Sequence, residues 1–309
     1  MISRRNIRVK VMQLLYMMDA SNGESNIKNP VAELQKSFDN TRDLLVYLLY
    51  FLTEVARYAE TDSLKKSNKH LPSEEDLNVN TKLSGNQLLW HIKEDASFVK
   101  TLEKLKPHRL INEDLLKRAY NKLVESPEYQ LYILAQGRDK DAEKNIIRFI
   151  FTDILLPDEV FLSHIEEHFN NWDDDCEMLD LLVNNYISKP SGYNFQEVIS
   201  ADKWEFAKSL LTTTFNKREH LLGIIKPKLQ NWDSDRIAMI DLVLMKMGIA
   251  EFLYFETIPT KVTINEYIDL AKEYSTEQSG HFVNGILDGI HKELLAEGKL
   301  HKVDFKQTR

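Results

Sequence analysis

The sequence predicts an all-α protein, and three observations carry that prediction. Its 309 residues include ten glycines and eight prolines, few for the tight turns of a β-rich chain. Apolar residues recur at spacings of three and four through long stretches, as one buried helix face requires. Short side chains that cap helices, such as Asp233, Ser234, Asp235 and Ser279, stand before several of those stretches.

Composition bounds the rest. The chain is 43% hydrophobic and 28% charged, enough for a sizeable core in two domains or one large elaborated one. The longest apolar run, Leu44 to Leu52, has nine residues, whereas a membrane span needs about 20. No membrane association is therefore expected. Lys10, Gln13 and Asp19 break the apolar N-terminal stretch and argue against a leader peptide. A single cysteine, Cys176, excludes an intramolecular disulfide and favours a reducing, cytoplasmic setting. The net charge of −8 means that any nucleic-acid site must be local, since bulk attraction to phosphates needs a basic surface.

Three segments emerge: 1–59, 60–140 and 141–309. In the first, Arg4 to Asp19 fit a helix. Ile7, Val11, Leu14, Leu15 and Met18 share an apolar face, and Arg4, Arg5, Arg8, Met12 and Tyr16 fall on its flank. Arginines can grip phosphates bidentately and a tyrosine can stack on an unpaired base; the same pattern also describes a solvated helix flank. Residues 22–30 read as a loop. Val31 to Ala59 read as one or two buried helices.

The middle segment opens on a polar linker, Lys65 to Glu75. Two weaker helical patterns follow, Ser84 to Lys106 and Asn112 to Val124, broken by Pro107 and Pro127. It reads as an inserted or appended helical segment. Strong patterning returns with a helical pair, Lys144 to Leu155 and Pro157 to Trp172. Arg148–Asp175 and Lys208–Asp235 agree at 8 of 28 positions, ending in the same Asn-Trp-Asp, which suggests two helices closed by one kind of cap or a duplication. In the final block, Ile237, Ile240, Leu244 and Met247 predict a helix buried on one face. After Pro259, helices near Thr260 and Ser279 bury Ile264, Ile268 and Ala271, then Phe282, Ile286, Leu287 and Ile290. Gly285 and Gly289, four apart, suggest a close approach by a neighbouring helix.

Some motifs have competing readings. His164-x-x-Glu167-His168 matches a zinc-hydrolase pattern, but Phe161, Ile165 and Phe169 describe an ordinary amphipathic helix. Asp173, Asp174, Asp175 and Glu177 suit a divalent cation, or more simply a helix start. Neither a phosphate-binding loop nor a dinucleotide fingerprint occurs. Cys176 sits among acids that raise a thiol pKa and disfavour a nucleophile. No catalytic group and no cofactor or metal is expected.

The final block resembles the C-terminal half of the NusB family of transcription antitermination factors. The matching residues are Asp235-Arg236-Ile237, the run Gly248 to Leu253, Ile258-Pro259, Val262 to Glu266, Leu270-Ala271-Lys272 and the run Phe282 to Asp288. The N-terminus is similar too, with Arg4-Arg5-x-x-Arg8 followed by Gln13-x-Leu15-Tyr16. The resemblance covers residues 1–20 and 141–298 and departs over 60–140, in a chain about twice the family's usual length. It implies two packed helical bundles of the NusB type with an additional helical insertion, and no catalysis. It further implies binding of boxA-type single-stranded RNA together with NusE, a small-subunit ribosomal protein, and joining of the RNA polymerase elongation complex during ribosomal RNA transcription. Homodimers also occur in the family. Carried over residue by residue, Arg4, Arg5 and Arg8 would contact RNA phosphates, with Gln13 and Tyr16 nearby. The turn between the last two helices would add Tyr274, Gln278, Gly280, His281 and Phe282, and Glu251 would lie near the NusE surface. Asn265, Glu266 and Asn284 read as buried hydrogen-bonding residues that fix helix register. An alternative is an RNA-binding appendage or scaffold of an rRNA-modification or ribosome-assembly complex.

Overall fold

A computed structural model describes residues 2–20, 27–229 and 237–303. Its regular structure is helical, and no strand occurs among the described residues. The helices are α1 (Arg4–Ala20), α2 (Pro30–Ser67), α3 (Glu74–Leu77), α4 (Gln87–Glu94), α5 (Ala96–Leu105), α6 (Glu113–Val124), α7 (Pro127–Leu134), α8 (Lys140–Phe149), α9 (Glu159–His168) and α10 (Trp172–Ser188). They continue with α11 (Ala201–Asn216), α12 (Arg218–Ile225), α13 (Met239–Tyr254), α14 (Thr260–Tyr274) and α15 (Ser279–Ala296). A 3-10 turn, Pro107–Arg109, follows α5, a π-helical stretch, Ile150–Leu155, extends α8, and a second 3-10 turn, Lys226–Leu229, extends α12. None of these helices is long and apolar enough to cross a membrane.

The helices gather into two compact units. One comprises Phe38–Val198, the other Ile2–Ser37 with Ile199–Arg309. This partition differs from the three segments read in the sequence. The reason is visible at residue 140, where no boundary forms. Glu143 of α8 accepts bonds from the Tyr132 hydroxyl (2.7 Å) and the Gln87 backbone N–H (2.6 Å), and its carbonyl accepts from the Asn86 side chain (2.9 Å). The middle segment thus shares a core with α8 instead of standing apart.

In the first unit the apolar run of α2, Leu44 to Leu52, is buried except at Tyr50, which is half-buried. Shorter helices are defined by side-chain caps. Asn86, Asp95, Asn112, Ser126, Asp139 and Asp158 each accept bonds from the backbone N–H groups of the helix they precede. Pro107 follows Lys106, whose φ of 52° turns the chain out of α5. Pro127 opens α7 as its first residue, where a missing N–H costs nothing. His164 is engaged through Nε2 by the Tyr47 hydroxyl at 2.7 Å, and burial holds its pKa below the ordinary histidine value. Asp175 is buried against the Thr41 hydroxyl (2.6 Å) and Asn171 (2.7 Å). Burial, with Glu177 and Asp173 nearby, pushes the Cys176 thiol up.

The Asp158 cap also pairs with Arg118 (2.8 Å) and Lys122. Burial alone would raise its pKa, but these cations and the Val160 N–H outweigh it and hold the carboxyl at about 2 against an ordinary 3.8. A depressed folded pKa contributes stability that is present above the unfolded value and is lost as pH falls through the folded one. The first unit should therefore lose on the order of 1–2 kcal/mol between pH of about 4 and about 2, after screening of the half-exposed partners. Asp158→Asn should remove that component. Denaturant midpoints across this pH range, wild type against variant, measure it.

The second unit is organised around α13. It is buried on nearly all sides, from Val243 to Phe252, with α1, α11, α12, α14 and α15 packed on it. The one-sided burial expected for this helix is thus corrected: a helix apolar all round is a core helix. The caps Asp233, Ser234 and Asp235, and the second Asn-Trp-Asp, lie outside the described residues. At an offset of 60, residues 140–155 and 159–168 become 200–215 and 219–228. These nearly coincide with α11 and with α12 plus its 3-10 turn.

Two further expectations are corrected. Added β-carbons at Gly285 and Gly289 would meet nothing within 4 Å, so neither marks a close helix approach. That role belongs to Gly248, where a β-carbon would sit 3.0 Å from Leu287 Cδ2 and 3.4 Å from Tyr267 Cδ2. Ser279 does not cap α15. It is the first residue of that helix, and its hydroxyl donates to buried Asp241 at 2.8 Å.

Candidate nucleic-acid interface

The arginines of α1 meet three different fates. Arg4 is exposed, and its guanidinium lies 5.5 Å from the centroid of the Phe206 ring, a cation–π contact that restrains it. Arg5 is half-buried and pairs with Glu273 near the end of α14 at 2.6 Å. Arg8 is buried. Its Nε and Nη2 grip both oxygens of Glu251 (2.7 and 3.1 Å), and its Nη1 reaches Glu266 (3.1 Å). Glu251, fully buried, also accepts from Thr263 (3.0 Å) and Tyr267 (2.9 Å). Burial alone would lower the Arg8 pKa, but the bond to Glu251 and the surrounding charge outweigh it, so Arg8 stays charged. Burial pushes the Tyr267 hydroxyl well up.

This corrects two expected roles. Arg8 cannot grip a phosphate, and Glu251 cannot present a partner surface, because each is the internal partner of the other. Met12 of the expected flank is buried as well, as is Lys10 on the other side of the helix. The Arg5–Glu273 pair is different in kind: both side chains are about one-third exposed, and such pairs contribute at most about 1 kcal/mol.

The Arg5–Glu273 bond brings the start of α1 beside the turn after α14. In that turn Gln278 and His281 are exposed, Tyr274 is half-buried, and Phe282 is a core residue. Gly280 is buried under Lys272, whose Cγ an added β-carbon would approach to 2.6 Å. Ser279 Oγ must donate to the Asp241 carboxylate, which only accepts, so the Ser275 and Thr276 hydroxyls (2.9 Å each) donate to Ser279. This chain of bonds fixes the turn to α13. Gln13, half-buried, and Tyr16, 43% exposed, lie farther along α1. Eleven residues at 1.5 Å each set Tyr16 about 16 Å from Arg5. Asn265 and Asn284 are exposed, against the expectation of buried register-fixing groups, while half-buried Glu266 serves Arg8.

Sequence reasoning missed Phe206, Glu273 and Asp241. Glu273 had one local signal, its place next to Tyr274. Phe206 and Asp241 act through contacts 202 and 38 positions away, with Arg4 and Ser279, which no local pattern reveals.

The arrangement brings together one exposed arginine resting on an aromatic ring, one arginine in a partly exposed ion pair, and exposed polar side chains on a braced helical turn. It belongs to an all-helical protein whose α1 and α14–α15 turn together carry a small surface of mixed charge. A NusB family model matches residues 167–292. The transcription antitermination protein NusB of Ruminiclostridium cellulolyticum is 38% identical over 109 residues, 35% of this chain and 75% of that protein. The chain belongs to the NusB family. Proteins of the same name from Salinibacter ruber and Chloroherpeton thalassium are 43% and 53% identical over 98 and 72 residues, or 32% and 23% of this chain. Those matches span 61% and 34% of the relatives' own lengths. A solved structure, T. maritima NusB, matches at 29% identity over 35% of this chain and 82% of that one, with a TM-score of 0.30. The family match crosses the boundary between the two units at residue 198.

Proposed function

We propose that this chain is a non-enzymatic, RNA-binding transcription antitermination factor. On this reading it binds boxA-type single-stranded RNA together with NusE and joins elongating RNA polymerase in the cytoplasm during ribosomal RNA transcription. The observation that carries the reading is the Arg5–Glu273 bond, which sets the basic end of α1 beside the α14–α15 turn. Family membership supports the same reading. The RNA contacts are Arg4, Arg5, Gln278 and His281, with Tyr274 at their edge and Gln13 and Tyr16 farther along α1. Gly280 and Phe282 shape the turn from beneath. Two arginines give modest, salt-sensitive affinity, so NusE is needed for tight binding.

The test is fluorescence anisotropy of a labelled boxA RNA titrated with the chain, alone and with NusE, at several salt concentrations. Tighter, sequence-dependent binding with NusE is expected; equal binding to a scrambled RNA contradicts the reading. Arg4→Gln with Arg5→Gln should reduce the slope of log affinity against log salt by about 1.4, two contacts at about 0.7 each on a single strand.

A further inference from the structure

The sequence places its basic cluster on α1, but the structure leaves little of it free: Arg8 and Lys10 are buried and Arg5 is paired. A denser set of accessible cations stands in the first unit. Lys100, Lys104, Lys106, His108 and Arg109 are all exposed within ten residues, on the last turns of α5 and the 3-10 turn after it. No side-chain ion pair engages any of them among the described residues. Acidic side chains also stand nearby, with Glu94 and Asp95 before the cluster and Glu113 and Asp114 after it. Glu103 is exposed within it, and Asp43, which feels the charge of Lys104, is already paired with Arg42 at 2.6 Å.

The corner is also shaped. Tyr50, Leu102, Glu103, Lys106, Pro107 and His108 line an open groove of about 420 Å3. Lys106 adopts the left-handed conformation that turns the chain there, with φ of 52°. The groove therefore has Lys106 and two rings, Tyr50 and His108, in its lining beside Glu103, and the other exposed cations lie within seven residues of Lys106 along the chain. Phosphates ask for the cations, and unstacked bases for the rings.

We propose that this corner is a second contact surface for single-stranded RNA, holding nucleotides that flank the segment bound by the second unit. Charge complementarity selects the occupant: four unpaired cations on a chain of net charge −8 mark a local anion site. The inference rests on the RNA-binding reading above and extends it to a longer RNA.

The experiment uses the full chain with NusE and two RNAs, boxA alone and boxA with about 30 flanking nucleotides. Lys100→Gln/Lys104→Gln/Lys106→Gln/Arg109→Gln should lower affinity for the long RNA at least tenfold at low salt. It should also reduce the salt slope by about 2.8, four contacts at about 0.7, and leave the short RNA unaffected. An unchanged slope and affinity on the long RNA overturn the proposal, and leave an acidic protein as the alternative occupant. Because a quadruple variant is also a folding test, 4-thiouridine cross-linking of the long RNA to the wild-type chain supplies an independent reading. Cross-links in residues 100–109 or at Tyr50 are expected, and cross-links confined to α1 and the α14–α15 turn overturn it. The two readings fail separately. Loss with the quadruple variant but not with Arg4→Gln/Arg5→Gln would refute the α1 site and keep this one; a wild-type chain that binds neither RNA refutes both.

Discussion

Arg8→Ala is expected to destabilise the second unit by about 3–5 kcal/mol, the usual consequence of leaving one charge of a buried pair alone. The arginine is the central element of its cluster. It neutralises Glu251, which is fully buried and receives Thr263 and Tyr267 as further donors. It also ties α1 to α13 and, through Glu266, to α14. Removing it strands a carboxylate with two hydroxyls that cannot replace a counter-charge. Amide hydrogen exchange along α13, with and without the substitution, reads the loss directly. Arg8→Met together with Glu251→Met should recover part of it, because removing both charges removes the desolvation cost. Protection of the α13 amides unchanged in Arg8→Ala would mean that the pair does not support the core.

Gly248→Val is the second large effect, about 1–3 kcal/mol of destabilisation from overpacking. The glycine sits where α13 meets Tyr267 of α14 and Leu287 of α15. Leu287 already stands 3.0 and 3.1 Å from where a first added carbon would go. Valine brings two more carbons into that space. The mechanism predicts its own rescue. Leu287→Ala alone leaves a cavity and destabilises, whereas the double substitution should cost less than the sum of the two. Urea denaturation of the four proteins in this cycle tests it; strict additivity would place the strain elsewhere.

Local patterning was legible in part. The caps at Asn86, Asp95, Asn112, Ser126, Asp139 and Asp158 are short polar residues of the kind that suits a helix start, yet none stands out in the sequence, while Ser279, which does, is the first residue of its helix. The helices after Pro259 start where their spacing puts them. Long-range pairing was another matter. Placed on a helical wheel, Arg8 looks like an exposed flank, because the wheel does not know that Glu251 waits 243 positions later. The Gly285–Gly289 spacing drew attention to open surface, while the crowded glycine, Gly248, was hidden inside an unbroken apolar run. The same blindness displaced the basic surface: four cations near the N-terminus looked like a patch until burial and pairing left Arg4 exposed and Arg5 in a partly exposed pair. The cations of 100–109 went unnoticed because they are spread over a helix end and a 3-10 turn rather than one periodic face.

A transcription assay is the most direct test of an antitermination role exercised through RNA. Read-through of a terminator is measured on a boxA-bearing template with RNA polymerase, NusE and the other elongation factors, with and without this chain. The chain is expected to raise read-through, and Arg4→Gln/Arg5→Gln or a scrambled boxA to remove most of the increase. Read-through that is the same with and without the chain, under conditions where it binds the RNA, would contradict it.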